Sequence, residues 1–264
     1  MTIPQALTIA GSDSGGGAGI QADIKTMQMR GVFATSVITA ITAQNTCGVN
    51  HIEMTSTASV RAQIAAIAAD FTIRAHKIGM LGTADMIACV AVSLRDCNFG
   101  ALVLDPVMIA KGGAPLLQSD AIAALKRELL PRATLITPNL PEAEQLAGIR
   151  ISDDADIARA ARILRQQGAH AVLIKGGHGE GDTCRDWLFH DGETLTLDNP
   201  RHATPHTHGT GCTLSACITA ELAKGATLTD AVRTAKAYIS AAIARPLNIG
   251  HGHGPVNHWA YDET

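Results

Sequence analysis

The chain has 264 residues, of which 46% are hydrophobic and 17% are charged. This length fits one large domain or two small ones, and it allows a full hydrophobic core without disulfides. The 21 basic and 24 acidic side chains leave a formal net charge of −3, and only 3% of the residues are aromatic. This composition excludes a disordered chain and does not favour a nucleic-acid-binding or anionic-membrane surface.

The amino-terminal ten residues lack both a basic start and a long apolar run. No apolar run in the chain approaches the roughly 18–20 residues that a membrane-spanning helix needs. We therefore expect neither a signal peptide nor a membrane span, and a cytoplasmic location. The six cysteines form no C-x-x-C pair, which predicts reduced thiols.

Short apolar runs alternate along the chain with longer stretches of helical periodicity. The predicted strands cover residues 7–10, 36–41, 75–78, 101–104, 134–136 and 171–174. The predicted helices cover residues 21–29, 59–70, 84–95, 119–130, 153–167, 212–223 and 229–244. Around Asp191 and Gly192, residues 186–198 predict a β-hairpin. No linker or repeat interrupts this order, so we expect a single domain over residues 1–264.

This alternation of strands and helices predicts an α/β fold, with a mostly parallel central sheet and helices on both faces. In such sheets, ligands bind beyond the carboxyl ends of the strands. Polar or glycine residues follow each predicted strand, namely Gly11 to Asp13, Gln44 and Asn45, Gly79 and Met80, Asp105 and Pro106, Pro138 and Asn139, and Lys175 to Gly177. The sequence therefore predicts a binding crevice at this edge of the sheet.

Residues 11–19, GSDSGGGAG, are the first glycine segment, and they lead from a predicted strand into a predicted helix. They do not match the dinucleotide-binding pattern G-x-G-x-x-G, because Ile20 stands where its last glycine would. No P-loop pattern occurs anywhere in the chain. The segment either binds a ligand through its backbone N–H groups or forms a flexible strand-to-helix turn.

Residues 207–215, THGTGCTLS, are the second glycine segment, at the start of a predicted helix. Gly209 and Gly211 let the backbone fold around an anion, and the positive end of a helix dipole favours one there. The same position predicts a thiol at Cys212 more acidic than a free cysteine. The alternatives are an ordinary helix start and, for Cys212, a small buried residue.

Four polar residues after predicted strands suit phosphate and metal chemistry. Asp105, Asn139 and Glu142 carry the oxygen ligands that Mg²⁺ prefers, and Mg²⁺ needs few protein ligands. Lys175 is a mobile positive charge within reach of phosphate oxygens. Taken singly, each residue has a simpler interpretation, as a helix cap, a solvated acid of a first helical turn, or a surface lysine.

With these motifs together, the chain resembles the hydroxymethylpyrimidine and phosphomethylpyrimidine kinases of thiamine biosynthesis, which are ribokinase-like enzymes. The resemblance is carried in order by AGSDSGGGAGIQAD (10–23), TAQNT (42–46), KIGMLG (77–82), DPVM (105–108), ITPNLPEA (136–143), KGGH (175–178) and HGTGCTLS (208–215). One departure is AKGG at residues 110–113, where the family usually has a serine as third residue.

The resemblance implies a ribokinase-like fold and transfer of phosphate from ATP, with Mg²⁺, to a pyrimidine hydroxymethyl group and then to the monophosphate product. It also implies a homodimer. The implied substrate pocket is lined by Gln44, which would hydrogen-bond the ring, and by Gly11, Asp23, Met80 and Val107.

The resemblance further implies roles at the phosphates. Asp105, Asn139 and Glu142 would organise Mg²⁺, directly or through water, and Lys175 would neutralise the transferred phosphate. The anion hole would comprise Gly209, Thr210, Gly211 and Cys212.

Two other functions fit parts of the sequence. A pyridoxal or pyridoxine kinase would share the fold and would also act on a flat heteroaromatic alcohol. A metal-binding or sensor protein would use the pairs His206-x-His208 and His251-x-His253, although no matching Cys/His framework accompanies them.

Overall fold

The computed structural model describes residues 2–109, 116–117, 119–177 and 181–261. Within them, nine strands form a single sheet in the order β3-β2-β1-β4-β5-β6-β7-β8-β9. The strands are β1 (Gln5–Asp13), β2 (Phe33–Asn45), β3 (Gly48–Met54), β4 (Ala75–Ile78), β5 (Ala101–Leu104), β6 (Leu135–Ile136), β7 (Ala171–Lys175), β8 (Thr183–His190) and β9 (Glu193–Pro200).

Eight α-helices alternate with these strands in the described part of the chain. They are α1 (Gly19–Met29), α2 (Thr57–Asp70), α3 (Ala84–Ser93), α4 (Ser119–Glu128), α5 (Leu140–Ala147), α6 (Asp154–Gln166), α7 (Thr210–Ala223) and α8 (Leu228–Ala244). A 3₁₀ turn, Leu130–Arg132, precedes β6. None of the helices described is both long enough and apolar enough to cross a bilayer.

The six central strands, β2, β1, β4, β5, β6 and β7, run parallel to one another. Antiparallel strands flank them, β3 at one edge and the β8–β9 hairpin at the other. The parallel order places the carboxyl ends of β1, β4, β5, β6 and β7, with the residues that adjoin them, at one edge of the sheet. These are the segments for which the sequence predicts binding chemistry.

Helices cover both faces of the sheet, and a hydrophobic core lies under each layer. One core joins α2 to α6 with the sheet, through residues such as Ile64, Val90 and Leu164. The opposite core joins α7 and α8 with the sheet, and α1 packs beside α7 through Met27. Successive residues of β5 enter opposite cores, since Leu102 and Leu104 face the first and Val103 the second. The predicted α/β class is therefore confirmed.

Most predicted elements agree with the structure, with three exceptions. β1 is longer than the predicted 7–10 and includes Gly11 to Asp13, α5 (Leu140–Ala147) is absent from the predicted helices, and the antiparallel strands differ. Residues 75–78 and 101–104 are strands with the predicted bounds, and the predicted hairpin around Asp191 is present. The strand predicted over 36–41 is too short, because β2 continues to Asn45 by pairing with β3, which the sequence analysis did not identify. Gln44 and Asn45 are therefore part of the strand and do not follow it.

Candidate active site

The carboxyl ends of β5 and β7 bring a buried ion pair to the centre of the predicted crevice. Nζ of Lys175 lies 3.2 Å from Oδ1 of Asp105, and the Lys175 side chain is only 15% exposed. The carboxylate also accepts hydrogen bonds from Ser215 at 3.1 Å and Thr137 at 3.3 Å. Lys175 is thus an anchored charge and not the mobile one that the sequence predicts.

The charges of this pair stabilise each other. Burial alone would raise the pKa of Asp105, but the ammonium groups of Lys175 and Lys77 lower it. Burial alone would lower the pKa of Lys175, but the carboxylates of Asp105 and Glu142 raise it. The crevice therefore holds a charged carboxylate and a charged ammonium at neutral pH.

The amino terminus of α7 lies directly beside this pair. A Cβ added to Gly211 would lie 3.4 Å from Nζ of Lys175 and 3.7 Å from Oδ2 of Asp105. Gly209 is the N-cap, with a positive φ of 80° and no side-chain capping hydrogen bond. Thr210 is the first residue of the helix, and its hydroxyl donates to the carbonyl of Thr207 at 2.7 Å. The predicted anion-hole residues therefore stand next to Lys175.

The sequence prediction for Cys212 is wrong in one respect. Burial raises the pKa of its thiol to about 11, with contributions from Asp23 and Asp105, although Lys77 and a backbone N–H of Gly19 oppose the shift. The position at a helix N-terminus predicts a more acidic thiol, but desolvation outweighs that effect. Cys212 is therefore a neutral thiol at physiological pH.

Asp23 forms a second buried ion pair, close enough to Cys212 to affect the pKa of its thiol. Its carboxylate lies 2.7 Å from Nζ of Lys77 and accepts a hydrogen bond from Thr8 at 2.6 Å, and both charged side chains are fully buried. The resemblance implies a place for Asp23 in the substrate pocket, and no sequence pattern singles out Lys77 as its partner. Lys77 lies inside the short predicted strand 75–78 of the central sheet, and this is itself a signal, because an ammonium group buried there requires a charged partner.

Asn139 and Glu142 form the capping box of α5. Oδ1 of Asn139 accepts the N–H of Glu142 at 2.9 Å, and Oε2 of Glu142 accepts the N–H of Asn139 at 2.8 Å. Burial raises the pKa of Glu142, although Lys175 opposes the shift. The capping interpretation therefore holds for both residues. The coulombic coupling of Glu142 to Lys175, and the backbone bridge between Asn139 and Lys175, also place them beside the crevice.

Two of the remaining predicted pocket residues adjoin each other at the carboxyl ends of β1 and β4. A Cβ on Gly11 would lie 3.2 Å from the sulfur of Met80. Gly11 stands where the register of β1 and β2 shifts, which allows this close approach. Val107 follows β5, and its N–H donates to the carbonyl of Asp105 at 2.8 Å. Gln44, on β2, is half-buried.

A further ion pair, between Asp13 and His208, joins the two glycine segments. Nε2 of His208 lies 2.9 Å from Oδ2 of Asp13. The carboxylate also accepts backbone N–H groups of Gly15 at 2.8 Å, Gly17 at 3.0 Å and Ala18 at 2.8 Å. Local sequence patterns do not reveal this pair, because 195 positions separate its members.

The histidine pairs do not form a metal site in the described ranges. His208 is engaged with Asp13, and no group of three or more His, Cys, Asp or Glu side chains in those ranges could hold a metal ion. The six cysteines, all within the described part, are free, as the sequence predicts. The AKGG departure at 110–113 lies outside the described residues.

The parallel sheet brings together an anchored lysine, a buried aspartate and a glycine-lined helix N-terminus at its carboxyl edge. This combination is typical of a phosphoryl-transfer enzyme. The sequence pattern of the phosphomethylpyrimidine kinase family matches residues 13–257. The hydroxymethylpyrimidine/phosphomethylpyrimidine kinase of Haemophilus influenzae is 63% identical over 263 residues, covering 98% of each chain. The chain belongs to the phosphomethylpyrimidine kinase family, and the predicted resemblance is confirmed.

Two other proteins are similar over nearly the full length. The enzyme of the same name from Bacillus subtilis is 50% identical over 262 residues, covering 99% of this chain and 97% of the relative. The ADP complex of Bacillus subtilis pyridoxal kinase superposes with a TM-score of 0.91 at 40% identity, covering 98% of each chain. The predicted fold is thus shared with a kinase named for a different alcohol.

Proposed function

We propose that this protein transfers the γ-phosphoryl group of ATP to 4-amino-5-hydroxymethyl-2-methylpyrimidine, and then phosphorylates the monophosphate to the diphosphate in thiamine biosynthesis. The names of the two relatives support both steps. The observation that carries the proposal is the placement of Lys175 beside the N-terminus of α7, at the same sheet edge as Gln44 and Met80.

Phosphoryl transfer needs positioning and charge stabilisation more than covalent chemistry. In the proposed complex, Lys175 neutralises charge on the transferred group, and the backbone N–H groups of Gly209 to Cys212 bind its oxygens. Asp105 links Lys175 to α7, because its Oδ1 lies 3.2 Å from Nζ of Lys175 and its Oδ2 accepts a hydrogen bond from Ser215 at 3.1 Å. The positive charge is thus in place before substrate binds.

Cys212 acts in this proposal as a neutral member of the anion hole and not as a thiolate base. Its pKa of about 11 keeps the proton on sulfur at neutral pH, and the charges of the buried Lys77–Asp23 pair contribute to that pKa. A loose transition state needs little help from a base, since the attacking hydroxyl keeps its proton until late.

Asp105, Asn139 and Glu142 provide oxygen ligands suited to Mg²⁺. Since the capping box occupies one oxygen of Asn139 and one of Glu142, ligation through water suits these residues. The raised pKa of Glu142 indicates a buried carboxylate that a nearby divalent cation would stabilise in its charged form. When bound, Mg²⁺ would neutralise charge on phosphate oxygens.

The aminopyrimidine occupies a pocket lined by Gly11, Met80, Val107 and Gln44. In this proposal Asp23 stabilises the wall of the pocket through Lys77, because its carboxylate is fully buried against that residue. Gln44 supplies the polar contact to the ring, and the sulfur of Met80 supplies an apolar wall.

A pyridoxal kinase activity is the second candidate. It is favoured by the superposition with the pyridoxal kinase of Bacillus subtilis at 40% identity. Pyridoxal is also a flat heteroaromatic alcohol and would fit the same crevice. We propose it as a secondary substrate.

We also propose that the enzyme is a cytoplasmic homodimer that acts on small molecules, without nucleic-acid or membrane partners. The six free cysteines support a reducing compartment. The exposed side chains of Phe33 and Ile41 on β2 offer apolar surface for a second copy.

A coupled ADP-release assay with ATP and Mg²⁺ tests the proposed function, using the aminopyrimidine alcohol, its monophosphate and pyridoxal separately. We expect the highest kcat/KM with the two pyrimidines. Cys212→Ala keeps the backbone N–H and removes the S–H donor, and it should lower kcat by about a hundredfold, the usual cost of one anion-hole donor. Cys97→Ala, beyond α3, is the matched control and should leave kcat unchanged. No turnover of either pyrimidine by the wild-type protein would overturn the proposal.

A further inference from the structure

Another buried ion pair, between Asp186 of β8 and Lys236 of α8, lies next to the carboxyl end of β7. Nζ of Lys236 lies 2.7 Å from Oδ2 of Asp186, and the two side chains are only 7% and 5% exposed. Nζ is also within donor distance of the carbonyl oxygen of Cys184, at 3.1 Å, and of its sulfur, at 3.6 Å. An ammonium group has three donors, so these contacts satisfy Lys236 and tie α8 to β8.

The pair lies between the sheet and α8, within an otherwise apolar layer. Leu188, two residues after Asp186, belongs to the core that α7 and α8 form with the sheet, and residues two apart on a strand share a face. On α8, Lys236 lies one turn after Val232, which belongs to the same core. Because an ion pair costs more desolvation there than apolar side chains of the same volume, packing alone does not account for it.

The second oxygen of Asp186 holds the backbone next to Lys175. Oδ1 accepts the N–H of the buried Gly176 at 2.9 Å. Lys175 and Asp186 are the last paired residues of β7 and β8, so the carboxylate binds the first N–H beyond the ladder. A Cβ added to Gly176 would overlap the carbonyl oxygen of Arg185 and lie 2.8 Å from Cζ3 of Trp187. The chain at Gly176 is therefore pressed against β8.

Lys175 is thus anchored at three points. Its own N–H donates to the carbonyl of Pro138 at 2.9 Å, beyond the end of β6. The next N–H, that of Gly176, binds Asp186. Its ammonium group lies 3.2 Å from Oδ1 of Asp105. A lysine side chain has a long flexible stem, so the position of its ammonium depends on where the backbone is fixed.

We propose that Asp186 and Lys236 are positioning residues for phosphoryl transfer. The carboxylate fixes the backbone at Gly176, Lys236 holds the carboxylate in place, and Lys175 is thereby kept beside the anion hole. Both residues act through Lys175 and not on the substrate. This inference rests on the proposed function and deepens it. Because Lys175 is proposed to stabilise charge in the transition state, a displaced Lys175 lowers kcat and leaves substrate binding nearly unchanged.

The test compares two double variants, and both remove the buried charges. Asp186→Leu with Lys236→Met (D186L/K236M) removes the acceptor for the Gly176 N–H, whereas Asp186→Asn with Lys236→Met (D186N/K236M) retains one. We expect D186L/K236M to lower kcat by about tenfold, the usual effect of one lost hydrogen bond to a charged group. Its KM values for ATP and the aminopyrimidine alcohol should change by less than about twofold. D186N/K236M should keep kcat within about threefold of the wild type.

A second comparison shows whether the effect passes through Lys175. In a Lys175→Gln background, D186L/K236M should lower kcat by less than about twofold further, because the charge that it displaces is already absent. A loss of about tenfold in both backgrounds would indicate a merely structural role and would overturn the inference. The matched control is Glu221→Gln, which weakens the buried pair with Arg30 near the carboxyl end of α7 and should leave kcat unchanged.

Amide hydrogen exchange of the ligand-free wild-type protein keeps the test decisive if D186L/K236M does not fold. The N–H of Gly176 should exchange slowly, because it is buried and bonded to a carboxylate. Exchange at the rate of an unstructured glycine, or equal kcat values for the two double variants, would overturn the inference while an active wild type keeps the proposed function. A wild-type protein without pyrimidine turnover would overturn both.

Discussion

The ammonium group of Lys77 lies 2.7 Å from the carboxylate of Asp23, and neither side chain is exposed. Burial alone would lower the pKa of Lys77, but the Asp23 carboxylate raises it, so the lysine is charged inside the fold. Thr8 donates to the other oxygen of Asp23 at 2.6 Å. The pair ties α1 to β4 close enough to Cys212 to affect the pKa of its thiol, and its charge is therefore part of the electrostatic environment of the anion hole.

Removing one partner of this pair should destabilise the protein more than removing both. We expect Lys77→Met to lower the free energy of unfolding by about 3–5 kcal/mol, because it leaves the Asp23 carboxylate buried and uncompensated. The double variant Lys77→Met, Asp23→Leu should regain much of that stability. Urea denaturation at pH 7 measures both quantities.

The matched control for this comparison is the exposed pair of Arg185 and Asp198, whose side chains are each 44% exposed. Arg185→Met should cost much less than Lys77→Met, since water solvates the remaining carboxylate. A Lys77→Met variant that is as stable as the wild type would show that an uncompensated charge at Asp23 has no energetic consequence, which contradicts this prediction.

The thiol of Cys212 should resist alkylation at neutral pH. With a pKa of about 11, only a small fraction of Cys212 is thiolate at pH 7–8, and the thiolate is the reactive form. Iodoacetamide labelling followed by peptide mass spectrometry should modify the exposed Cys47 first. The rate at Cys212 should keep rising well above pH 9. A Cys212 rate that levels off near pH 7 would contradict the neutral thiol.

The contact between the two glycine segments should not tolerate a side chain at Gly209. Its φ is 80°, and an added Cβ would overlap the carbonyl oxygen of Gly17. Gly209→Ala should therefore lower both the melting temperature and kcat. Gly225→Ala is the matched control, because Gly225 also has a positive φ, of 92°, but faces open space. Gly225→Ala should lower the free energy of unfolding only by the cost of the backbone strain, about 1 kcal/mol.

The difference in the free energy of unfolding between these two variants measures the cost of the steric clash at Gly209, for which we expect a further loss of about 1–3 kcal/mol. Thermal denaturation without ligand measures it. Equal losses in Gly209→Ala and Gly225→Ala would mean that the two segments separate freely, and then neither segment depends on the other for its position.

The sequence predicted well where burial on both faces leaves one interpretation. Residues 101–104, ALVL, are a four-residue apolar run, and they form a strand with those bounds. Residues 75–78 are also a strand with the predicted bounds, although the buried His76 and Lys77 interrupt the apolar pattern. It failed at β3, where most residues are exposed or half-buried, so no apolar run distinguishes the strand from a loop. Antiparallel pairing with β2 creates that strand, and no local pattern encodes it.

The same contrast between local sequence patterns and long-range packing applies to the site. The strand ends predicted Asp105 and Lys175, and the structure joins them at 3.2 Å. The local rule for helix N-termini gave the wrong direction for the pKa of Cys212, because desolvation depends on the tertiary packing around the thiol. The His206-x-His208 pattern offers His208 as a metal ligand, but its partner in the structure is Asp13, from the other end of the chain.

Stability should fall as the pH is lowered from about 6.5 toward 4, and His76 should account for a defined part of that fall. Burial in β4 lowers its pKa to about 4, despite a contact of 3.1 Å from Nδ1 to the carbonyl of Phe99. In the unfolded chain the ordinary value is near 6.5, so the unfolded state binds one more proton between these limits. His258, whose pKa burial also lowers to about 4, adds in the same direction.

His76→Asn retains a donor near the position of Nδ1 and removes the titration. We expect the free energy of unfolding of this variant to lose less than that of the wild type between pH 6.5 and 4, by up to about 3 kcal/mol. The comparison uses the pH slope, so a uniform loss of stability in the variant does not affect it. His170→Asn, at an exposed histidine, is the matched control. Urea denaturation at half-unit pH steps gives the slopes, and parallel slopes for His76→Asn and the wild type would show that His76 is not buried in its neutral form.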